Sequence, residues 1–290
     1  MSRNTITEDS WLYEIKPKGK LIDLNFKEIW SYRDLLVLFV KRDIVTVYKQ
    51  TILGPLWFLI QPLFTSIVFT LIFNNIGNVS TGAVPAFLFN LAGITLWNYF
   101  KECLTTSSTT FTANAGLFGK VYFPRFIVPA SRVISGLFKY SIQVLIFVLF
   151  YLYFIFYKGV DIAPSPFFIL SLLLVFNMAL IGLGVGMILS ALTTKYRDLT
   201  ILVSFGINLL MYVSGVMYPL EEMRAKLPEY YWLIEYNPIA QTIELYRNLL
   251  LGTAQVNFAM MGISLLIGVI CFLVGLIIFN RTERNFIDTV

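Results

Sequence analysis

An all-α integral membrane fold is what this sequence predicts. It should comprise six transmembrane helices, an N-terminal amphipathic interfacial helix, and a re-entrant outer helical hairpin between spans five and six. Three observations lead there. Six long stretches run continuously apolar between short polar connections, without the alternation of strands. Of the 290 residues, 57% are hydrophobic and 13% charged, against about a quarter charged in a soluble domain. With both termini cytosolic, all of the 22 Lys and Arg except Lys158, Arg224, Lys226 and Arg247 fall in cytosolic segments or at their borders, as the positive-inside rule requires.

Two regions divide the chain: a cytosolic N-terminal segment over 1–53 and a six-span domain over 54–290. The N-terminal segment lacks the apolar core of a cleavable signal peptide, so it is expected to stay in the cytosol. Within it, residues 28–50 place Ile29, Tyr32, Leu36, Phe39, Val40 and Val47 on one helical arc, with Arg33, Asp34, Lys41, Arg42 and Lys49 opposite. Such a basic amphipathic helix lies along the membrane interface. Asp43 interrupts the apolar arc, which implies contact with protein as well as lipid.

Spans are expected at 54–75, 86–106, 132–157, 167–193, 199–218 and 257–279, each near the ~20 residues needed to cross the hydrocarbon. Pro62 should kink the first. Phe58, Thr65, Phe69 and Phe73 come out near one of its faces, serving either packing or an aromatic pore lining. After the second span a Ser/Thr run leads to Gly116, Gly119 and Pro124, which break the helix. This longest internal cytosolic connection mixes Lys120 and Arg125 with Phe118, Tyr122 and Phe123, a composition suited to docking a soluble partner. Lys195, Arg197 and Asp198 sit in the short cytosolic turn between spans four and five. Between spans five and six, prolines at 219, 228 and 238 and Gly252 punctuate two short helices, at 220–227 and 238–251. The aromatics joining them, Tyr230, Tyr231 and Trp232, are either a membrane anchor or stacking platforms for sugar rings.

Catalytic chemistry is nearly absent. There is no histidine, hence no ordinary acid/base group at neutral pH. Cys103 and Cys271 are far apart and read as buried thiols. The string Gly116-Leu-Phe-Gly119-Lys120 lacks the spacing of a phosphate-binding loop. Spans one, four, five and six carry no charge in their interiors, and Arg132 and Lys139 at the cytosolic start of span three can snorkel. A solute moved uphill must therefore draw on energy from another polypeptide. Asn90, Thr95, Asn98, Gln143, Asn177, Asn208 and Tyr212 are candidates for interhelical hydrogen bonds, and Gly182, Gly184 and Gly186 for close helix approach.

The order of these features resembles the ABC-2 type permeases, particularly the branch exporting bacterial polysaccharides such as O-antigen, teichoic acid and capsule precursors. The resemblance is carried by Arg42-Asp43 followed by Tyr48-Lys-Gln-Thr-Ile-Leu53-Gly54-Pro55-Leu-Trp57 and Gln61-Pro62. Lys120-Val-Tyr-Phe123-Pro124-Arg125 with Pro129, Tyr196-Arg197-Asp198-Leu199, and Tyr236-Asn237-Pro238 running to Glu244 and Arg247 add to it. Ser214-Gly215 departs from the Ser-Pro of many relatives. The resemblance implies a homodimer in the bacterial inner membrane, bound to a cytosolic ABC ATPase that holds ATP and Mg on a separate chain. This chain would bind no cofactor. It implies that Gly116, Phe118, Lys120, Tyr122, Phe123, Pro124 and Arg125 couple to the ATPase, with Lys195, Arg197 and Asp198 a second contact. Spans one and five would line the channel, making Phe58, Thr65, Phe69, Phe73, Asn208 and Tyr212 its candidate lining. Tyr230, Tyr231, Trp232, Asn237, Glu244 and Arg247 would belong to an outer gate. The expected function is the membrane subunit of an ATP-driven exporter of a lipid-linked polysaccharide. The alternatives are an ABC-2 exporter of drugs or lipids, or a membrane enzyme using Glu221, Glu222, Glu229, Glu235 or Glu244 on lipid-linked sugars.

Overall fold

The computed structural model describes residues 26–49, 54–196, 198–226 and 228–286, and all regular structure among them is helical. The chain opens with α1 (Phe26–Ser31) and α2 (Arg33–Lys49). The expected apolar arc of α2 turns toward protein: Phe39 is buried, with Tyr32, Leu35 and Leu36 packed beside it, while Trp30, Val37 and Leu38 face outward. Asp43, the residue that breaks the arc, meets Arg132.

Next come α3 (Trp57–Phe69), continued by a π-helical turn over Thr70–Ile76, α4 (Ala86–Ser108), α5 (Thr110–Phe118) and α6 (Ile127–Phe156). A 3-10 turn at Phe168–Leu170 leads into α7 (Ser171–Lys195), followed by α8 (Leu199–Val213), the short α9 (Leu220–Lys226) and α10 (Tyr231–Glu235), α11 (Pro238–Leu251) and α12 (Phe258–Phe286). Four helical segments are long and apolar enough to cross a membrane: Trp57–Ile76, Ile127–Phe156, Phe168–Lys195 and Phe258–Glu283. The other two expected spans differ for identifiable reasons. With 23 residues α4 extends about 35 Å, but Asn90, Asn98, Lys101 and Glu102 dilute its hydropathy. By contrast α8 stops after 15 residues, about 22 Å against the ~30 Å of a hydrocarbon core. The predicted span to 218 therefore ends early. Ser214 leaves the helix and Gly215 takes φ +63°, a left-handed turn that glycine makes without a Cβ clash.

At the centre stands α7, packed along α4 on one side and α12 on the other. Its glycines make this possible. Gly182 and Gly186 lie against Phe100, Cys103, Leu104 and Ser107 of α4, while Gly184 meets the carbonyl of Cys271 on α12. A Cβ at Gly184 would stand 2.4 Å from that oxygen, and one at Gly275 2.2 Å from the Gly184 oxygen. Small residues that let backbones approach are how helices associate in lipid, where burial of apolar surface supplies no drive. Asn177 of α7 adds a polar tie, donating to Thr242 Oγ1 of α11 at 3.2 Å and Ser264 Oγ of α12 at 3.0 Å.

Two hydrophobic clusters result. The larger gathers α4, α7 and α11 with parts of α6 and α12. The smaller, at the end of the bundle carrying α2, is aromatic: Phe39, Phe111, Phe118, Phe123 and Phe279 with Ile127, Val128, Leu183, Met187 and Leu276. At the margin of the larger cluster, α3 buries only Pro62 and Ser66, and α8 only Ile207.

Candidate functional site

The segment 116–125 separates into an anchor and a tip. Phe118 and Phe123 are buried, their ring centroids 5.8 Å apart, and Phe123 lies edge-on to Phe39 of α2 at 5.9 Å. Arg125 is only 6% exposed. Its Nη1 donates to the carbonyl of Glu283 on α12 at 3.0 Å, and its guanidinium lies 5.2 Å from the centre of the Phe118 ring. Burial draws its pKa down while the Glu283 carboxylate opposes the shift. What remains outside is Gly116, Gly119, Lys120, Val121 and Tyr122, the tyrosine 82% exposed, with Pro124 half-buried. Of the seven residues the sequence assigned to partner contact, Phe118, Phe123 and Arg125 fix the segment to the bundle. Gly116, Lys120 and Tyr122 form its accessible surface.

In the turn after α7, Lys195 and Asp198 are exposed and Arg197 lies outside the described residues. Asp198 caps α8, its Oδ1 accepting from the Leu199 amide at 3.1 Å. Lys195 Nζ sits 5.2 Å from the Tyr196 ring centre.

The residues predicted to line a channel divide the same way. Phe69 and Phe73, edge to face at 5.8 Å, are partly buried against the main core. Thr65 returns its hydroxyl to the Gln61 carbonyl at 2.8 Å. Phe58 is half-buried under the Lys139 ammonium, 5.3 Å from its ring centre. Asn208 and Tyr212 of α8 are exposed. The outward apolar face of α3 is instead Trp57, Phe64, Ile67, Val68 and Leu71.

At the opposite end of the bundle, residues 214–251 form a tied structure. Asn237 caps α11 by accepting from the Ile239 amide at 3.0 Å and donates to Ser214 Oγ at 3.2 Å. From there α11 runs among α4, α7 and α12 with ten of its fourteen residues buried. Its Arg247 is wholly buried. Nε donates to the Phe89 carbonyl of α4 at 3.1 Å, Nη1 to that of Gly215 at 2.7 Å and Nη2 to that of Val216 at 2.6 Å. The guanidinium stacks 3.8 Å from the Phe89 ring centre, with Glu244 Oε2 3.9 Å away. Burial pushes the arginine down to about 10, with Glu244 opposing, so it stays cationic at neutral pH. Burial likewise raises the Glu244 carboxyl, against the pull of Arg247. The planar fork of Arg suits this triple capture of backbone oxygens; a lysine ammonium is a point charge. Gly93 makes the room, since a Cβ there would fall 2.0 Å from Nη2. Tyr230 and Trp232 are exposed, and Tyr231 is half-buried with Arg224 5.8 Å from its ring. Tyr246 joins Tyr140 of α6 hydroxyl to hydroxyl at 2.8 Å.

Sequence reasoning missed the ion pairs of Asp43 with Arg132 at 3.3 Å and of Glu102 with Lys139 at 2.5 Å. The signal available was the carboxylate on the apolar arc of α2. Among the described residues no cluster of three or more metal-ligating side chains occurs.

Comparison with known proteins bears on this arrangement. The pattern of the ABC-2 type transporter family matches residues 34–251, from α2 through α11. Two proteins of Klebsiella pneumoniae called O-antigen export system permease protein RfbA are 30% identical over 256 residues and 31% identical over 259. Each match covers 88% of this chain and 94% of the relative. A protein of that name from Myxococcus xanthus is 25% identical over 198 residues, 68% of this chain and 73% of its own length.

Proposed function

The chain belongs to the ABC-2 type transporter family, and we propose that it is the membrane subunit of an exporter carrying a lipid-linked, O-antigen-like polysaccharide across the bacterial inner membrane. The observation that carries this is end-to-end similarity to relatives named for O-antigen export, covering 94% of two of them. Hydrolysis of ATP, with its Mg, belongs to a separate cytosolic ABC ATPase, and this chain transmits the motion.

On this reading six helices span, α3, α4, α6, α7, α8 and α12, with both termini cytosolic and two copies facing one another. The α8 span is completed by the non-helical stretch to Tyr218. Lys120 and Tyr122 press against the ATPase, Lys195, Arg197 and Asp198 supply a second contact with it, and Phe118, Phe123 and Arg125 carry the load inward. The thinly packed helices α3 and α8 border the conduit, where Asn208, Tyr212 and the Phe58–Thr65 side of α3 offer weak, repeated contacts to sugar rings. Strong single sites would stall a sliding polymer. The segment 214–251 is a re-entrant outer gate, in which Tyr230, Tyr231 and Trp232 meet the emerging chain and Asn237, Glu244 and Arg247 hold it in place.

The test is co-expression with an ABC ATPase encoded beside this chain, with co-purification and surface polysaccharide as readouts in a strain lacking the permease. The expected result is a stable complex and restored polysaccharide, both requiring a hydrolysis-competent ATPase. Polysaccharide export by this chain without any ATPase would overturn the proposal.

A further inference from the structure

We propose that the cavity enclosed by α2, α3, α4 and α6 is a binding site for the phosphate-bearing headgroup of a membrane lipid. The cavity measures about 260 Å3 and is lined by three cations, Arg42, Arg132 and Lys139, two carboxylates, Asp43 and Glu102, and the ring of Phe58. So dense a set of charges beside membrane helices is costly unless it serves binding or pairing. Pairing is incomplete. Asp43 is held by Arg42, whose Nε and Nη2 donate to Oδ1 at 3.0 and 2.8 Å. Its Oδ2, on a side chain only 8% exposed, accepts no hydrogen bond from the described residues. The Arg132 Nη1 approaches that oxygen to 3.3 Å without hydrogen-bond geometry, and Arg132 donates no hydrogen bond to any described residue. Lys139 has Glu102 on one side and the Phe58 face on the other.

The three cations exceed the two acids by one charge. A phosphate group entering here would complete the unused donors of Arg132 and share Lys139 with Glu102, with Asp43 as the internal anion it competes against. Charge-assisted bonds of this kind are the strong ones, and Arg is suited to phosphate. A lipid fits better than a free anion because α3, which supplies Phe58 to the cavity, exposes Trp57, Phe64 and Ile67 on its outward face, apolar surface against which a hydrocarbon tail can lie. The site rests on the exporter reading only in supposing that this end of the bundle lies at the cytosolic interface, where a lipid-linked glycan would be met.

The experiment uses the full chain in phosphatidylcholine nanodiscs, with a polyprenyl diphosphate, phosphatidylglycerol and inorganic diphosphate as probes, and bound ligand counted by native mass spectrometry. Saturable binding of a phosphate-bearing lipid is expected, and its identity is told by which of the two lipids binds more tightly. Arg132→Gln and Lys139→Gln should each weaken it about tenfold, the loss of one charge-assisted contact. Lys139→Arg should hold within about twofold, and Asp43→Asn, which removes the competitor, should strengthen binding about threefold. That gain also distinguishes a ligand site from a structural latch, since a latch variant would gain nothing. Undiminished binding in correctly folded Arg132→Gln and Lys139→Gln, or inorganic diphosphate binding as tightly as the lipids, would overturn the proposal. Because binding is measured without an ATPase, its failure leaves the exporter reading standing. Failure to associate with an ATPase would leave the site standing.

Discussion

Replacing Arg247 with leucine should destabilise the protein more than any other single change to a charged residue among those described. The side chain donates three charge-assisted hydrogen bonds, two to the Gly215 and Val216 carbonyls beyond the end of α8 and one to the Phe89 carbonyl within α4. Each such bond contributes about 1.5–3 kcal/mol, and buried acceptors left unpaired cost about 1–3 kcal/mol each. The sum overstates the loss, because the 214–218 turn can relax and Glu244 also loses its partner; about 3–5 kcal/mol is the range for breaking a buried ionic tie. At about 2–4 °C per kcal/mol for a chain of this size class, the midpoint should fall by roughly 6–20 °C. The assay is thermal unfolding of purified protein in detergent, followed by tryptophan emission and loss of the monodisperse peak. Arg247→Lys should recover less than half of the loss, because one ammonium cannot reach three oxygens on separate segments. Gly93→Ala should reproduce much of it by displacing the guanidinium, and the double variant Gly93→Ala/Arg247→Leu should cost less than the two singles added. A shift below about 2 °C for Arg247→Leu, or full additivity in the double variant, would refute the reasoning.

The division of the 116–125 segment predicts opposite phenotypes. Phe123→Ala should lower stability by about 3–5 kcal/mol in unfolding assays, whereas Lys120→Ala and Tyr122→Ala should leave the melting midpoint within about 2 °C while reducing ATPase-driven export. A Lys120→Ala/Tyr122→Ala variant with full export would remove the tip from the coupling path. Gly184→Leu, whose side chain must enter the space of the Cys271 carbonyl, should prevent recovery of folded protein in a size-exclusion profile, while Gly206→Ala, with open space around it, should be neutral. Asn177→Leu should cost about 1–2 kcal/mol by removing the two amide bonds to Thr242 and Ser264, which keep each other and the Pro238 carbonyl; no change in unfolding would mean that this remaining pairing suffices.

Continuous apolar runs made the long helices legible, and prolines at 219, 228 and 238 with Gly252 marked α9 and α11 to within a residue. Depth of burial was not legible. Arg247 and Glu244 look from sequence like the polar face of a surface helix, because i,i+3 spacing does not tell which side a neighbouring helix occupies. Only the gap left by Gly93 on α4, beside the Phe89 carbonyl that lies 158 positions away, shows that the guanidinium points inward. Likewise Phe118 and Phe123, grouped with Lys120 as one docking surface, are set apart from it by packing among Phe39 of α2, Phe279 of α12 and Phe111 of α5, the helix that carries Phe118 itself. The end of α8 was misplaced because residues 214–218 remain apolar after the helix stops; hydropathy reports the solvent and is silent on backbone geometry. In α2 the one discordant residue, Asp43, was the informative one, and it led to Arg132.

The uneven attachment of the helices decides where this molecule can deform. Glycines of α7 meet backbone on α12 and backbone with the short side chains of Cys103 and Ser107 on α4, so little stands between these helices to yield and the three behave as a stiff frame. Poorly anchored elements open at the least free-energy cost, and here they are α3 and α8, which fully bury only two residues and one residue respectively. Force delivered at the aromatic end would pass through the frame nearly undiminished and be spent in swinging those two staves, so that a change of bore would cost little even though the scaffold itself does not flex.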